Sequence, residues 1–196
     1  MFTSREEIIK KTGPNGIGRY DFLNLLVQEF YKTNSFEAKL QVLANLANFS
    51  YDPINYQFIK QLRIVDLFLN QLTQHEEDLI RFSISGLCNL SPDPSISDYI
   101  VQQNGVFLIS NLLLHQNVEI SLDALTTLIY LINQETHAII TTHEIINKVL
   151  HYSSSVDSRL SNLGNIFLQD YCTNEEIEYV KSSCGLVVND IPLPPT

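Results

Sequence analysis

The side chains able to do covalent or metal chemistry in this chain are five histidines, three cysteines and a few adjacent carboxylates. Their spacing assembles no site. His75, His115, His137, His143 and His151 form no H-x-x-x-H pair, and Cys88, Cys172 and Cys184 form no C-x-x-C. A tetrahedral metal centre is therefore not predicted. Cys88 sits inside a helical pattern, where an inert buried thiol is expected rather than a nucleophile. Glu76-Glu77-Asp78 and Glu175-Glu176 fall at predicted helix starts, where they complement the helix dipole. Gly13 to Gly18 follows no strand and precedes no Lys-Ser/Thr, so it reads as a loop and not a phosphate cradle. The expectation is no enzyme, no cofactor and no metal. What recurs is an amide. Leu46-Ala47-Asn48-Phe49-Ser50-Tyr51-Asp52-Pro53 returns 41 positions later as Leu87-Cys88-Asn89-Leu90-Ser91-Pro92-Asp93-Pro94. Asn48 and Asn89 offer paired hydrogen-bond donors and acceptors.

A period in the forties marks a stacked helical array. Such arrays bind macromolecules along a continuous face. Leucine spacing predicts long helices over 36–50, 77–91, a third marked by Leu122, Leu125, Leu128 and Leu131, and 156–171, with Leu160, Leu163, Ile166 and Phe167. An amphipathic helix over 20–32, with Phe22, Leu25, Leu26 and Phe30 in one stripe, is expected to cap the open end. Asp52-Pro53 and Asp93-Pro94 each pair an N-cap with proline at the first helical position, and start shorter helices. Asn104-Gly105 ends one of these. Thr173-x-x-Glu176 predicts a capping box for a last helix over 174–183. Residues 1–19 read as a flexible lead-in, 20–183 as one domain and 184–196, with Pro192, Pro194 and Pro195, as an extended tail. Strand patterns are lacking, so the fold class is all-α.

Charge narrows the partners. Residues 1–63 carry 8 Lys/Arg against 6 Asp/Glu, whereas 64–196 carry 4 against 16, and no Lys or Arg lies between Phe82 and Asn147. A nucleic-acid surface needs clustered cations. Direct RNA or DNA binding is thus not expected, and an acidic face suits a basic protein partner. The odd, dispersed cysteines, the charged N-terminus and the absence of a long apolar run predict a soluble intracellular protein without a membrane span.

The three-helix unit, with Gly86-Leu87-Cys88-Asn89-Leu90-Ser91 and Asn104-Gly105-Val106, resembles the armadillo repeat. The resemblance implies a right-handed superhelix of about four units with irregular ends. Val42 to Phe49, Tyr51-Asp52-Pro53, Val65-Asp66-Leu67-Phe68-Leu69, Arg159-Leu160 and Ile191-Pro192-Leu193-Pro194 are similar to the armadillo repeat-containing protein 7 family, over roughly residues 20–194. That similarity implies a non-enzymatic nuclear component of the minor spliceosome. Its partners would be RNA-binding motif protein 48 and other proteins of that assembly, with nucleic acid reached only through the partner. In armadillo proteins an asparagine of the long helix lines the concave groove. Here that ladder reads Asn48, Asn89, Tyr130 and Asn165. A purely structural role for Asn48 and Asn89, satisfying backbone groups between units, stands beside recognition. One turn earlier, where basic-peptide carriers place tryptophan, stand Ala44, Ser85, Thr126 and Ser161. The chain has no tryptophan, which argues against the alternative of a transport adaptor for basic cargo.

Overall fold

Aspartate, proline and serine set where each unit turns. Asp52 and Asp93 accept from the backbone N–H groups of Ile54 and Ile96, with proline next in sequence. The Ser50 and Ser91 hydroxyls donate back to the carbonyls of Leu46 and Leu87 at the ends of the long helices. The computed structural model describes Thr3, Ser4, Glu6, Glu7, Lys10, Gly13 and residues 16–189, with side chains to residue 183. The first helices are α1 (Arg19–Lys32), α2 (Phe36–Ser50), α3 (Tyr56–Gln61), α4 (Ile64–Gln71), α5 (Glu77–Leu90) and α6 (Pro94–Gln102). Then come α7 (Gly105–Ser110), α8 (Val118–Leu131), α9 (His137–Ile140), α10 (His143–Ser153), α11 (Ser158–Tyr171) and α12 (Asn174–Asn189). No strand occurs among the described residues.

The long helices α2, α5, α8 and α11 pack each on the next, so one apolar core runs through the stack. Leu43, Leu46, Ile84, Leu87, Leu90, Leu125, Leu128 and Phe167 are fully buried along it. Burial of that continuous surface is what holds the array together. The tight corner before the third helix of a unit needs a left-handed residue. Arg63 and Asn104, 41 positions apart, supply it with φ of 54° and 60°. Asn104 accepts this conformation readily; Arg63 does so under strain. At Gly105 an added Cβ would lie 2.6 Å from the Ile100 carbonyl oxygen, so only glycine lets α6 and α7 meet this closely. Hydrogen bonds tie each unit to its neighbour. Tyr56 Oη donates to the Asn89 carbonyl (2.9 Å), Asn117 Nδ2 to Glu77 Oε1 (2.7 Å) and Lys148 Nζ to the Ser110 carbonyl (3.2 Å).

Four expectations need correction. The inward stripe of α1 is Leu23, Leu26, Val27 and Phe30, not one that includes Phe22 and Leu25. Among the described residues no helix stacks on the outer side of α1, so Leu25 stays exposed and Phe22 packs edge-on against Phe49. On α11, Phe167 and Leu168 point inward and Ile166 is half-exposed. The last helix passes residue 183 and runs to Asn189, because Gly185 alone does not stop a helix and the first proline stands only at position 192. The extended tail over 184–189 is therefore wrong, and its remainder lies outside the described residues. The lead-in is not wholly flexible. Glu6, Glu7 and Lys10 are helical, and the Thr3 backbone N–H donates to Asp52 Oδ2 at 2.9 Å. The Thr173–Glu176 box forms reciprocally, at 2.8 and 3.2 Å.

Candidate protein-binding groove

Three long helices turn one face each toward a shared groove. α2 contributes Ala44, Ala47 and Asn48, α5 contributes Arg81, Phe82, Ser85 and Asn89, and α8 contributes Glu119 and Asp123. Together they line a cavity of about 260 Å³. Beside it lies a broader hollow of about 600 Å³, walled by Tyr51, Tyr56, Cys88, Thr126, Tyr130 and the prolines at 53, 92 and 94. Asn89 lines both, so the two hollows adjoin at that residue. Ala44, Ser85, Asn48 and Asn89 thus come together as a set. Tyr130 stands in the neighbouring hollow, half-exposed. Asn165, on α11, is partly buried and lines neither hollow.

The two repeat asparagines differ. Asn89 Nδ2 donates to the Ala47 carbonyl at 3.3 Å, tying α5 to α2, while its own carbonyl accepts from Tyr56. Asn48 is exposed and makes no such bond among the described residues. Asn89 therefore joins structure to the groove surface. Removal of one neutral hydrogen bond costs about 1 kcal/mol. Asn89→Ala should accordingly retain its helical circular dichroism and melt only slightly earlier, while Asn48→Ala should melt like the parent.

The residue that inspection of the sequence missed is Asp123. It lies two helical turns before Tyr130 on the same face of α8. Burial pushes its carboxyl up to about 6, the Glu119 charge adds to this, and a hydrogen bond from Ser85 opposes it. Burial, with the Asp123 charge behind it, pushes the Cys88 thiol up to about 12, which leaves it protonated and unreactive. The cations near the groove are already engaged. Arg81 holds Asp78 at 2.9 Å and stacks on Phe82 at 4.2 Å from the ring centre. Arg159 of α11 bridges Glu119 and Asp157 at 2.8 and 2.9 Å. Among the described residues Asp123 has no ion-pair partner. The eight-residue phrase carries no trace of it, since Asp123 falls outside both copies. Its only sequence signal is membership of the cation-free stretch.

Another hollow, of about 480 Å³, lies away from this face between Lys60, Arg63, Asp66 and Tyr99. Its charges satisfy one another: Arg63 holds Asp66 at 3.1 Å, and Tyr99 Oη donates to Asp66 at 2.7 Å. Among the described residues, no group of three or more His, Cys, Asp or Glu side chains is placed to hold a metal, and no helix is long and apolar enough to cross a membrane.

No family model matches the chain. It is 42% identical over 182 residues to armadillo repeat-containing protein 7 of the mouse, Mus musculus, covering 92% of both chains. Among solved structures it superposes on computationally designed armadillo repeat proteins for modular peptide recognition with a TM-score of 0.71 at 13% identity, covering 84% of this chain and 71% of that one. A designed armadillo repeat protein in complex with the peptide (KR)4 gives 0.70 at 14% identity, over 85% of this chain and 73% of the other. These likenesses show the fold: an all-α armadillo superhelix.

Proposed function

This chain belongs to the armadillo repeat-containing protein 7 family, and from that membership we propose that it is a non-enzymatic scaffold whose concave groove holds a protein partner. The groove supports this most directly. Its two hollows adjoin at Asn89, draw residues from α2, α5 and α8, and are lined by small residues, amides, tyrosines and a few charged side chains. Its titratable members do not fit catalysis. Asp123 bonds the Ser85 hydroxyl, the hollow they share is lined by no His or Lys, and the Cys88 thiol is held protonated.

The finer proposal follows the family resemblance. The scaffold acts in the nucleus, within the minor spliceosome, by docking RNA-binding motif protein 48, and meets RNA only through that partner. The acidic charge of the groove side agrees with a partner that is itself basic. Affinity purification of the tagged full-length protein from nuclear extract tests it. The expected eluate contains RNA-binding motif protein 48 and the minor-class small nuclear RNAs. An eluate lacking both would sink the proposal.

An adaptor for basic peptide cargo is the second reading. In its favour stand Asp123 and the likeness to a designed protein solved with (KR)4. Against it stand Ala44, Ser85, Thr126 and Ser161, which provide no aromatic slot for lysine stems. Titration with (Lys-Arg)4 separates the two, since only tight binding that depends on Asn48 and Asn89 favours the adaptor.

A further inference from the structure

The groove has two chemically different ends that meet at Asn89. One end holds Asp123, a carboxylate largely withdrawn from water and facing no cation of its own. An incoming guanidinium or ammonium there would find a partner charge in a low-dielectric recess, where pairing offsets the desolvation already suffered. The small side chains of Ala44, Ala47 and Ser85 leave room for it. Arg81 and Arg159 do not fill the place, because Asp78, Glu119 and Asp157 hold them.

The other end is a shelf of rings. Tyr51 and Tyr130 are 61% and 50% exposed, and Tyr56 and three prolines complete the wall. Several of its polar groups are already engaged. Asp93, the one charged residue of the shelf, is committed to Ile96 and Ser95. Tyr56 is committed to the Asn89 carbonyl. The Tyr130 hydroxyl and the second N–H of Asn89 remain without a partner among the described residues. The shelf thus offers aromatic faces and free hydrogen-bond donors. A proline run is the complementary ligand: it presents flat rings and carbonyls and has no backbone N–H to satisfy, and its preformed extended helix loses little entropy on docking.

We propose that the groove takes an extended segment of a protein partner in which one Arg or Lys adjoins a proline-rich run. The cation seats against Asp123, and the prolines lie against Tyr51, Tyr56 and Tyr130. This rests on the reading of the groove as the partner-binding surface, and adds to it the chemistry of what binds.

Fluorescence anisotropy with the full-length protein tests it. The probes are two labelled peptides, one with Arg before and one with Arg after a Pro-Pro-x-Pro run. Their controls replace Arg by citrulline, or every proline by alanine. At least one parent peptide should bind, and either replacement should weaken it by about tenfold or more. Asp123→Asn should weaken the Arg peptide by a similar factor and leave the citrulline peptide unchanged. Tyr130→Ala should weaken the parent and leave the proline-free peptide unchanged. Both changes spare the core, and circular dichroism of each variant checks the fold. Failure of both parent peptides, or equal affinity for the citrulline or proline-free forms, overturns the proposal. Preferred binding of (Lys-Arg)4 also overturns it, in favour of a purely basic ligand. Purification of the partner by the same wild-type protein keeps the two levels apart. A captured partner with silent peptides removes this inference and leaves the scaffold. Bound peptides with no captured partner remove the spliceosomal assignment and leave the groove chemistry.

Discussion

Truncation of Phe68 to alanine should destabilise the protein by about 3–5 kcal/mol, the range for emptying a large aromatic site in a core. Phe68 belongs to α4, is fully buried, and lies directly over Gly86 in the middle of α5. A Cβ added at Gly86 would stand 2.5 and 2.6 Å from two atoms of the Phe68 ring. The glycine is therefore not a weak point of the helix. It is the socket that admits the ring, and its poor helix propensity is offset by that packing. Gly86→Ala should destabilise by about 1–3 kcal/mol through overpacking. The two changes share one space, so they should not add. In a Phe68→Leu background Gly86→Ala should cost measurably less, with a coupling of about 1 kcal/mol or more. Urea unfolding of the two single variants and the double variant gives the cycle. A neutral Gly86→Ala with Phe68 intact would contradict the close approach. Set against a typical total of about 5–15 kcal/mol, Phe68→Ala removes much of the margin.

Asp123→Asn should make the free protein more stable at neutral pH. Burial lifts the folded carboxyl from its ordinary 3.8 to about 6. Above pH 6 the folded chain must hold an ionised Asp123 that the recess disfavours. Below about pH 4 the group is protonated in folded and unfolded chains alike, and the penalty is gone. Between those limits the folded chain binds the proton more tightly, so stability falls as pH rises, opposite to the usual carboxylate. With a discount for the solvent that still reaches this side chain, the penalty is about 1–2 kcal/mol, or about 2–8 °C in melting temperature for a chain of this size. The gap between variant and parent should be full at pH 8 and close as pH falls through 6 toward 4. The groups around Asp123 belong to both proteins: Glu119 on its own helix, Arg81, Ser85 and Cys88 on α5, and Asn48 on α2. Thermal melts of both proteins across that range decide it, and a parent equal to or more stable than the variant at pH 8 would count against an uncompensated Asp123. A group at the groove surface that weakens the free protein is the pattern expected of a binding residue.

The sequence revealed those features that depend on neighbours along the chain. Asp52-Pro53 and Asp93-Pro94 begin helices because cap and proline act within one turn. The leucines of α2, α5 and α8 fall inward because helical period and burial agree over several turns. Errors arose where position in the stack decides. Phe22 and Leu25 satisfy an amphipathic pattern, yet among the described residues α1 is stacked on one side only. The last helix passes Gly185 because one glycine weakens a helix less than packing or propagation supports it. Asn89 was visible as a repeat position, but its bond to Ala47 depends on how far α5 is rotated against α2. Asp123 was out of reach for the same reason. Its burial and its missing cation are properties of three helices meeting, and none of the three sequences contains them alone.

The bonds from Tyr56 to Asn89, from Asn117 to Glu77 and from Lys148 to Ser110 join residues only 33 to 40 positions apart, each within adjoining units. A molecule wired in this way has ends but no hub. Injury to one unit reaches the units on either side and fades beyond them, so a lesion in α12 threatens one neighbour whereas a lesion in α5 threatens two. The same wiring makes length an adjustable property. A whole unit added or lost at an end leaves every remaining local bond intact, and changes only how much partner the groove can span.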